Sequence, residues 1–244
     1  MSGSTIKALT FDVFGTVADW RNSIAAEAET LLAKEGHAVD GQAFALAWRA
    51  RYQPSMEEIR TGRRPFVKLD ILHRENLLEV LAEFGIEGVP APTIDTLNRA
   101  WHRLVPWPDV VGGLARLKQR HIIAPLSNGN VALMVNLAKH AGLPWDVILG
   151  AEIANAYKPD PDAYRRAAAL LDLAPDECLM VAAHNNDLVA AAATGMKTAF
   201  VPRPDEYGRG QTTDLAAGPN VDIVASDFLD LASKLEARGA EFNA

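Results

Sequence analysis

From Pro108 onward, short apolar runs alternate with segments of helical pattern, and this alternation leaves the chain very few architectures. A helix over residues 111–119 leads into the apolar run 122–126. A helix over 131–140 is stopped by Gly142, and a short run at 147–149 follows. The helix over 161–171 carries proline in its first turn, where a fixed φ is an advantage. Runs at 179–183, 198–201 and 222–224 alternate with helices over 187–194 and 228–238. Strand–helix–strand repetition of this kind implies a parallel, doubly wound sheet.

One further apolar run, residues 6–11, opens the chain and ends in Asp12. After it no convincing strand occurs until residue 98. That block predicts helices over 24–34, 44–52 (stopped near Pro54), 66–84 and 93–104. The expected fold is therefore α/β. Residues 1–18 and 99–244 form a doubly wound, Rossmann-like core, and residues 19–98 form an all-helical cap insert. A length of 244 residues is enough for such a core and a modest insert.

Hydrophobic residues make up 49% and charged residues 23%, as in an ordinary globular protein. A net charge of −7 disfavours nucleic acid as a partner, because displacing counterions from phosphates needs a basic surface. The single cysteine, Cys178, excludes an internal disulfide and reads as a buried strand residue. No cleavable leader is recognisable, and no apolar run reaches the roughly 18 residues that span a bilayer. No membrane association and a cytoplasmic location are expected.

In open parallel sheets, reactive groups gather outside the carboxyl ends of the strands. Asp12 ends the first strand, Ser127 and Asn128 end the second, Lys158 follows the third, and residues 184–187 follow the fourth. Four strand ends thus bring polar or charged groups to one crevice. Asp12 reads either as a turn or cap residue or, beside Gly15 and Thr16, as a carboxylate with one oxygen held and the other free to attack. Lys158 is stiffened by Pro159 and Pro161. A positioned ammonium about 4 Å from a carboxylate contributes roughly 4 kcal/mol at an effective dielectric near 20, enough to offset repulsion between two crowded carboxylates. Asp187 reads as a helix N-cap or as a general base for water. Ser127-Asn128-Gly129 is a polar turn at a helix start, suited to an anion or simply to capping.

Taken together, Phe11-Asp12-Val13-Phe14-Gly15-Thr16, Leu126-Ser127-Asn128-Gly129, Lys158-Pro159-Asp160-Pro161 and the run from Val181 to Asp187 resemble the four motifs of the haloacid dehalogenase superfamily. Most members are magnesium phosphatases. Their acid/base aspartate falls at Phe14 here and a metal-ligating aspartate at Ala183, so both carboxylates are missing. The pattern is similar instead to the L-2-haloacid dehalogenase branch.

That resemblance implies a metal-independent hydrolase without a cofactor. It would convert short 2-haloalkanoic acids, fluoroacetate among the candidates, to 2-hydroxy acids through a covalent aspartyl ester. Asp12 would be the nucleophile, oriented by Thr16. Asp187, helped by Lys158, would activate water. Ser127 and Asn128 would bind the substrate carboxylate. Trp48-Arg49 matches a Trp-Arg pair of the cap, so Arg49 would stabilise the leaving halide, with Arg51 as a competitor. Tyr164 would line the site, Phe14 would shape an apolar pocket, and Trp20 would narrow it.

His184 lies where relatives carry a side chain near the water and the lysine, in a catalytic or a structural role. The partner implied is a small carboxylate, and the helical insert offers surface for a homodimer. Three alternatives stay open at this level. One is ring-opening of L-azetidine-2-carboxylate by the same covalent route. The others are a magnesium phosphatase with unusual ligands and a binding protein that kept only the fold.

Overall fold

The structure, a computed structural model, describes residues 5–241. Among those residues the main sheet has six strands. They are β1 (Ala8–Phe11), β4 (Ile122–Ser127), β5 (Leu149–Gly150), β6 (Cys178–Ala182), β7 (Lys197–Phe200) and β8 (Ile223–Val224), in the order β5-β4-β1-β6-β7-β8. Every neighbouring pair is parallel. A short antiparallel ribbon joins β2 (Ala18–Asp19) to β3 (Val105–Pro106).

Helices α1 (Trp20–Lys34), α2 (Gly41–Ala50), α3 (Tyr52–Arg60), α4 (Leu69–Glu83) and α5 (Ala91–Asn98) lie between β2 and β3, followed by a 3₁₀ turn over Arg99–Arg103. The remaining helices are α6 (Val110–Leu117), α7 (Val131–Ala141), α8 (Ala151–Ala154), α9 (Pro161–Ala169), α10 (Asn185–Ala193) and α11 (Phe228–Glu241).

Period-two side-chain alternation splits β1 between two cores. Leu9 and Phe11 join one apolar cluster, which runs on through Val181, Phe14 and Trp20 to Phe44, Trp48 and Leu72 of the helical block and to Trp101 in the 3₁₀ turn after it. Ala8 joins the other cluster, with Leu126, Met180, Ala182 and Tyr164. Burial of both faces is why β1 and β6 are short and, Thr10 apart, wholly apolar. Because β1 has β4 on one side and β6 on the other, the chain reverses its winding there, and a crevice opens beyond the end of β1.

Several expected elements differ in detail. Pro54 does not end a helix. It lies in the first turn of α3, where its missing N–H costs nothing, and α2 starts earlier, capped by Asp40. The expected helix 93–104 breaks into α5 and the 3₁₀ turn. The strand expected at 147–149 forms at Leu149–Gly150. The helix expected from residue 187 begins at Asn185 with His184 at its N-cap position, so Asp187 occupies the first turn and does not cap. That position still sets its negative charge at the positive end of the helix dipole. Among the described residues, no helix is long and apolar enough to cross a membrane.

Candidate active site

Asp12 leaves β1 with its N–H donated to Val181 O of β6 at 3.0 Å. The chain then turns sharply. Gly15 takes φ +92, and a Cβ there would stand 2.1 Å from Glu206 Oε1, so only glycine fits. This turn returns Thr16 to Asp12. The Thr16 hydroxyl accepts the Ala183 N–H at 2.9 Å, which directs its own proton to Asp12 Oδ2 at 2.8 Å. Asp12 Oδ1 faces the Lys158 ammonium at 2.9 Å.

Lys158 bridges two carboxylates, since its Nζ also donates to Asp187 Oδ2 at 2.5 Å. Its backbone N–H donates to Asn128 Oδ1 at 2.8 Å, tying the ends of β4 and β5 together. Asp187 Oδ1 accepts from the Tyr164 hydroxyl at 2.5 Å. Burial works against the ammonium, but Asp12 and Asp187 outweigh it and raise the affinity of Lys158 for its proton. Burial also opposes ionisation of Asp12, yet Lys158 and His184 hold its carboxyl well below the usual range. Asp187 moves the other way. Burial first, and the Asp12 charge as well, raise it, against the pull of Lys158 and Tyr164. One carboxylate is thus poised to stay charged and the other to take a proton, the division of labour expected of a nucleophile and a base.

These groups border a cavity of about 280 Å³ that Asp12, Asn128, Lys158, Tyr164, His184 and Asp187 line from the core. Arg49 and Tyr52 line it from the helical block. The Arg49 guanidinium lies over the Tyr52 ring at 4.1 Å from the centroid and over Trp20 at 5.4 Å, and its Nη1 is buried without a hydrogen-bond partner. A buried cationic nitrogen without a partner is suited to an anion. Arg51 pairs with Glu79 and Glu83, away from the cavity lining.

Other expected site residues stand behind the wall. Ser127 is 1% exposed and its Oγ accepts the Gly129 N–H at 3.0 Å, so it shapes the turn while Asn128 faces the cavity. Phe14 packs edge-on to Tyr52 and Trp101. Trp20 donates its Nε1–H to Glu206 Oε1 at 2.8 Å.

Glu206 escapes sequence reading, as do Tyr52, Gln53, Tyr207 and Asp214 on the cavity wall. Glu206 is 1% exposed and accepts from His184 Nε2 at 2.8 Å, while His184 Nδ1 faces Asp12 Oδ2 at 3.0 Å. A signal for it existed. Glu206 lies in the polar segment that follows β7, a fifth strand end on the same crevice, where the rule that located the other groups applies equally.

Magnesium, which the phosphatase alternative would need, does not suit the donor set here. Among the described residues, no group of three or more His, Cys, Asp or Glu side chains is arranged to hold a metal ion. Lys158 already bridges Asp12 and Asp187, and the apolar Phe14 and Ala183 offer no ligand oxygen from their side chains.

The sequence matches the family described as haloacid dehalogenase-like hydrolase over residues 6–195. It is 31% identical over 231 residues to (S)-2-haloacid dehalogenase 1 of Pseudomonas sp. (strain CBS-3), covering 88% of this chain and 96% of that protein. The solved structure of the defluorinating L-2-haloacid dehalogenase Rha0230 has a TM-score of 0.94 at 53% identity, covering 96% of this chain and 97% of the other. For the L-2-haloacid dehalogenase PA0810 the TM-score is 0.92 at 46% identity, with 95% and 99% covered.

Proposed function

This chain belongs to the haloacid dehalogenase-like hydrolases, and we propose that it hydrolyses the carbon–halogen bond of short (S)-2-haloalkanoic acids to give 2-hydroxy acids. The observation that carries this reading is the single ammonium of Lys158 shared by Asp12 and Asp187, on a cavity that also holds the unpartnered guanidinium nitrogen of Arg49. Small size of the cavity, about 280 Å³, and similarity to the defluorinating Rha0230 support including fluoroacetate among the substrates.

Asp12 Oδ1 attacks the α-carbon from the side opposite the halogen, the carbon–halogen bond breaks, and halide leaves toward Arg49. Asn128 receives the substrate carboxylate, and Ser127 holds the turn that presents it. Water then attacks Cγ of the ester, giving its proton to Asp187, whose raised proton affinity suits it to the task. Lys158 keeps both carboxylates in register, and Tyr164 fixes the face of Asp187 through its hydroxyl. Residues 19–98 act as the cap that keeps bulk water from the first step, over a core of residues 1–18 and 99–244, of which 1–4 and 242–244 lie outside the described residues. Phe14 and Trp20 maintain the apolar wall through Tyr52 and Arg49. A phosphatase reading lacks its acid/base group, since Phe14 occupies that place. The same reading includes a cytoplasmic enzyme and, through the exposed side of the cap, a homodimer, which size-exclusion chromatography with light scattering tests.

The test of the covalent route is a single turnover of chloroacetate in ¹⁸O-water without added metal. The label should enter the Asp12 side chain and be absent from the first glycolate released. Label in that first glycolate would overturn the covalent mechanism.

A further inference from the structure

His184 touches Asp12 from a side that departure of the halide cannot use. In-line displacement places the leaving group across the α-carbon from the attacking oxygen, whereas His184 abuts the other carboxylate oxygen. Asp12 Oδ1 has Lys158 beside it, while Oδ2 accepts from both the Thr16 hydroxyl at 2.8 Å and His184 Nδ1 at 3.0 Å. Attack by Oδ1 turns Oδ2 into the carbonyl oxygen of the ester. Attack of water on that ester then drives negative charge onto Oδ2, the atom to which both donors already point.

Glu206 keeps the ring in this pose. Its Oε2 accepts from His184 Nε2 at 2.8 Å, and its Oε1 accepts from Trp20 Nε1 at 2.8 Å. Both carboxylates are acceptors, so the ring donates to both only when each nitrogen carries a proton. Burial disfavours that charged ring, but Glu206 and Asp12 outweigh it and raise the affinity of His184 for its second proton well above the ordinary histidine value. The His184 side chain is 14% exposed and that of Glu206 2%, so water screens the pair little.

We propose that His184 Nδ1–H and the Thr16 hydroxyl form the oxyanion hole for hydrolysis of the Asp12 ester, with Glu206 as the positioning residue that aims the ring. The inference rests on Asp12 being the nucleophile. As water oxygen bonds to Cγ, its proton passes to Asp187 and the carbonyl electron pair moves onto Oδ2, held by the two donors. The pair then returns, the Cγ–Oδ1 bond breaks, the departing alkoxide takes the proton back from Asp187, and the second water proton, left on Asp12, is lost to solvent to restore the carboxylate. His184 therefore serves the second step and leaves the first nearly untouched.

Rapid-quench kinetics with chloroacetate test this in the wild type, in Glu206→Gln and in the double variant His184→Leu/Glu206→Leu, which leaves no buried carboxylate unpaired. The double variant should release one equivalent of chloride per active site at nearly the wild-type first-turnover rate. Its steady state should then slow about 10²–10³-fold, the range for loss of an oxyanion-hole donor. A carboxymethyl adduct should accumulate on the Asp12 peptide. Glu206→Gln should shift the same way by a smaller factor, and it carries the same readout if the double variant does not fold. Variants whose first turnover and steady state fall together without adduct, or whose steady state is unchanged, overturn the inference. Wild-type enzyme that gives no ¹⁸O on Asp12 overturns the nucleophile assignment instead.

Discussion

Replacing Gly15 by alanine puts a single methyl group against the most tightly filled part of the site. The residue holds φ +92, where an L side chain costs about 1–2 kcal/mol. The new Cβ would also stand 2.1 Å from Glu206 Oε1 and 2.3 Å from its carboxyl carbon, far inside contact distance. Glu206 is buried against Trp20 and His184 and has no open side to retreat to, so it must surrender at least one of those two hydrogen bonds. Bonds to charged groups contribute about 1.5–3 kcal/mol each. The sum is a loss of about 2.5–5 kcal/mol. For a chain of this size that lowers Tm by roughly 5–20 °C. Urea titration followed by tryptophan fluorescence and calorimetry measure it. Because Glu206 moves, steady-state dehalogenation should also slow while first-turnover halide release persists. A loss below about 1 kcal/mol with unchanged turnover would refute the account, since it would mean that the turn and Glu206 are not wedged together.

Arg49→Met should lower kcat/KM for chloroacetate about 10²-fold or more, because the leaving anion loses its cation. Its Tm should change little, since loss of the contacts over Tyr52 and Trp20 offsets removal of a buried guanidinium nitrogen without a partner, and calorimetry beside a chloride-release assay reads both. Arg51→Ala removes the partly exposed pairs with Glu79 and Glu83 and a hydrogen bond to Ala47 O, all away from the cavity lining, so activity should be unchanged and stability should fall by about 1 kcal/mol.

The pH dependence has two sides. Asp187 lies above the ordinary aspartate value through burial and the Asp12 charge, so ester hydrolysis should fail on the acid side at a higher pH than an exposed aspartate would set, as a pH–rate profile shows. His184, faced by Asp12 and Glu206 with Lys158 beyond Asp12, is raised above 6.5. Its contribution to stability is complete below that value and is lost as pH rises through its folded pKa. Tm should therefore decline on the alkaline side, and the His184→Leu/Glu206→Leu variant should lack that decline.

Local chemistry along the chain was enough to place Asp12, Lys158 and Asp187 at one crevice. Buried parallel strands are short and apolar whatever surrounds them, and their carboxyl ends must point the same way, so each polar group just after such a run is marked by position alone. The helical insert was legible for a similar reason, because an amphipathic stripe has its own period. The boundary at Pro54 was misread because proline breaks a helix interior yet is welcome in a first turn, and which applies depends on where the preceding helix ends.

Contacts between distant segments left no comparable trace. Glu206 meets Gly15, Trp20 and His184 only once the segment after β7 folds back over the β1 turn. The choice of Arg49 over Arg51 depends on which face of α2 the cap turns inward. Ser127 lies outside the cavity lining that Asn128 joins, its Oγ accepting the Gly129 N–H of its own turn. Hydrogen-bond partners and desolvation belong to three-dimensional neighbours, and sequence spacing encodes those only within a single strand or helix.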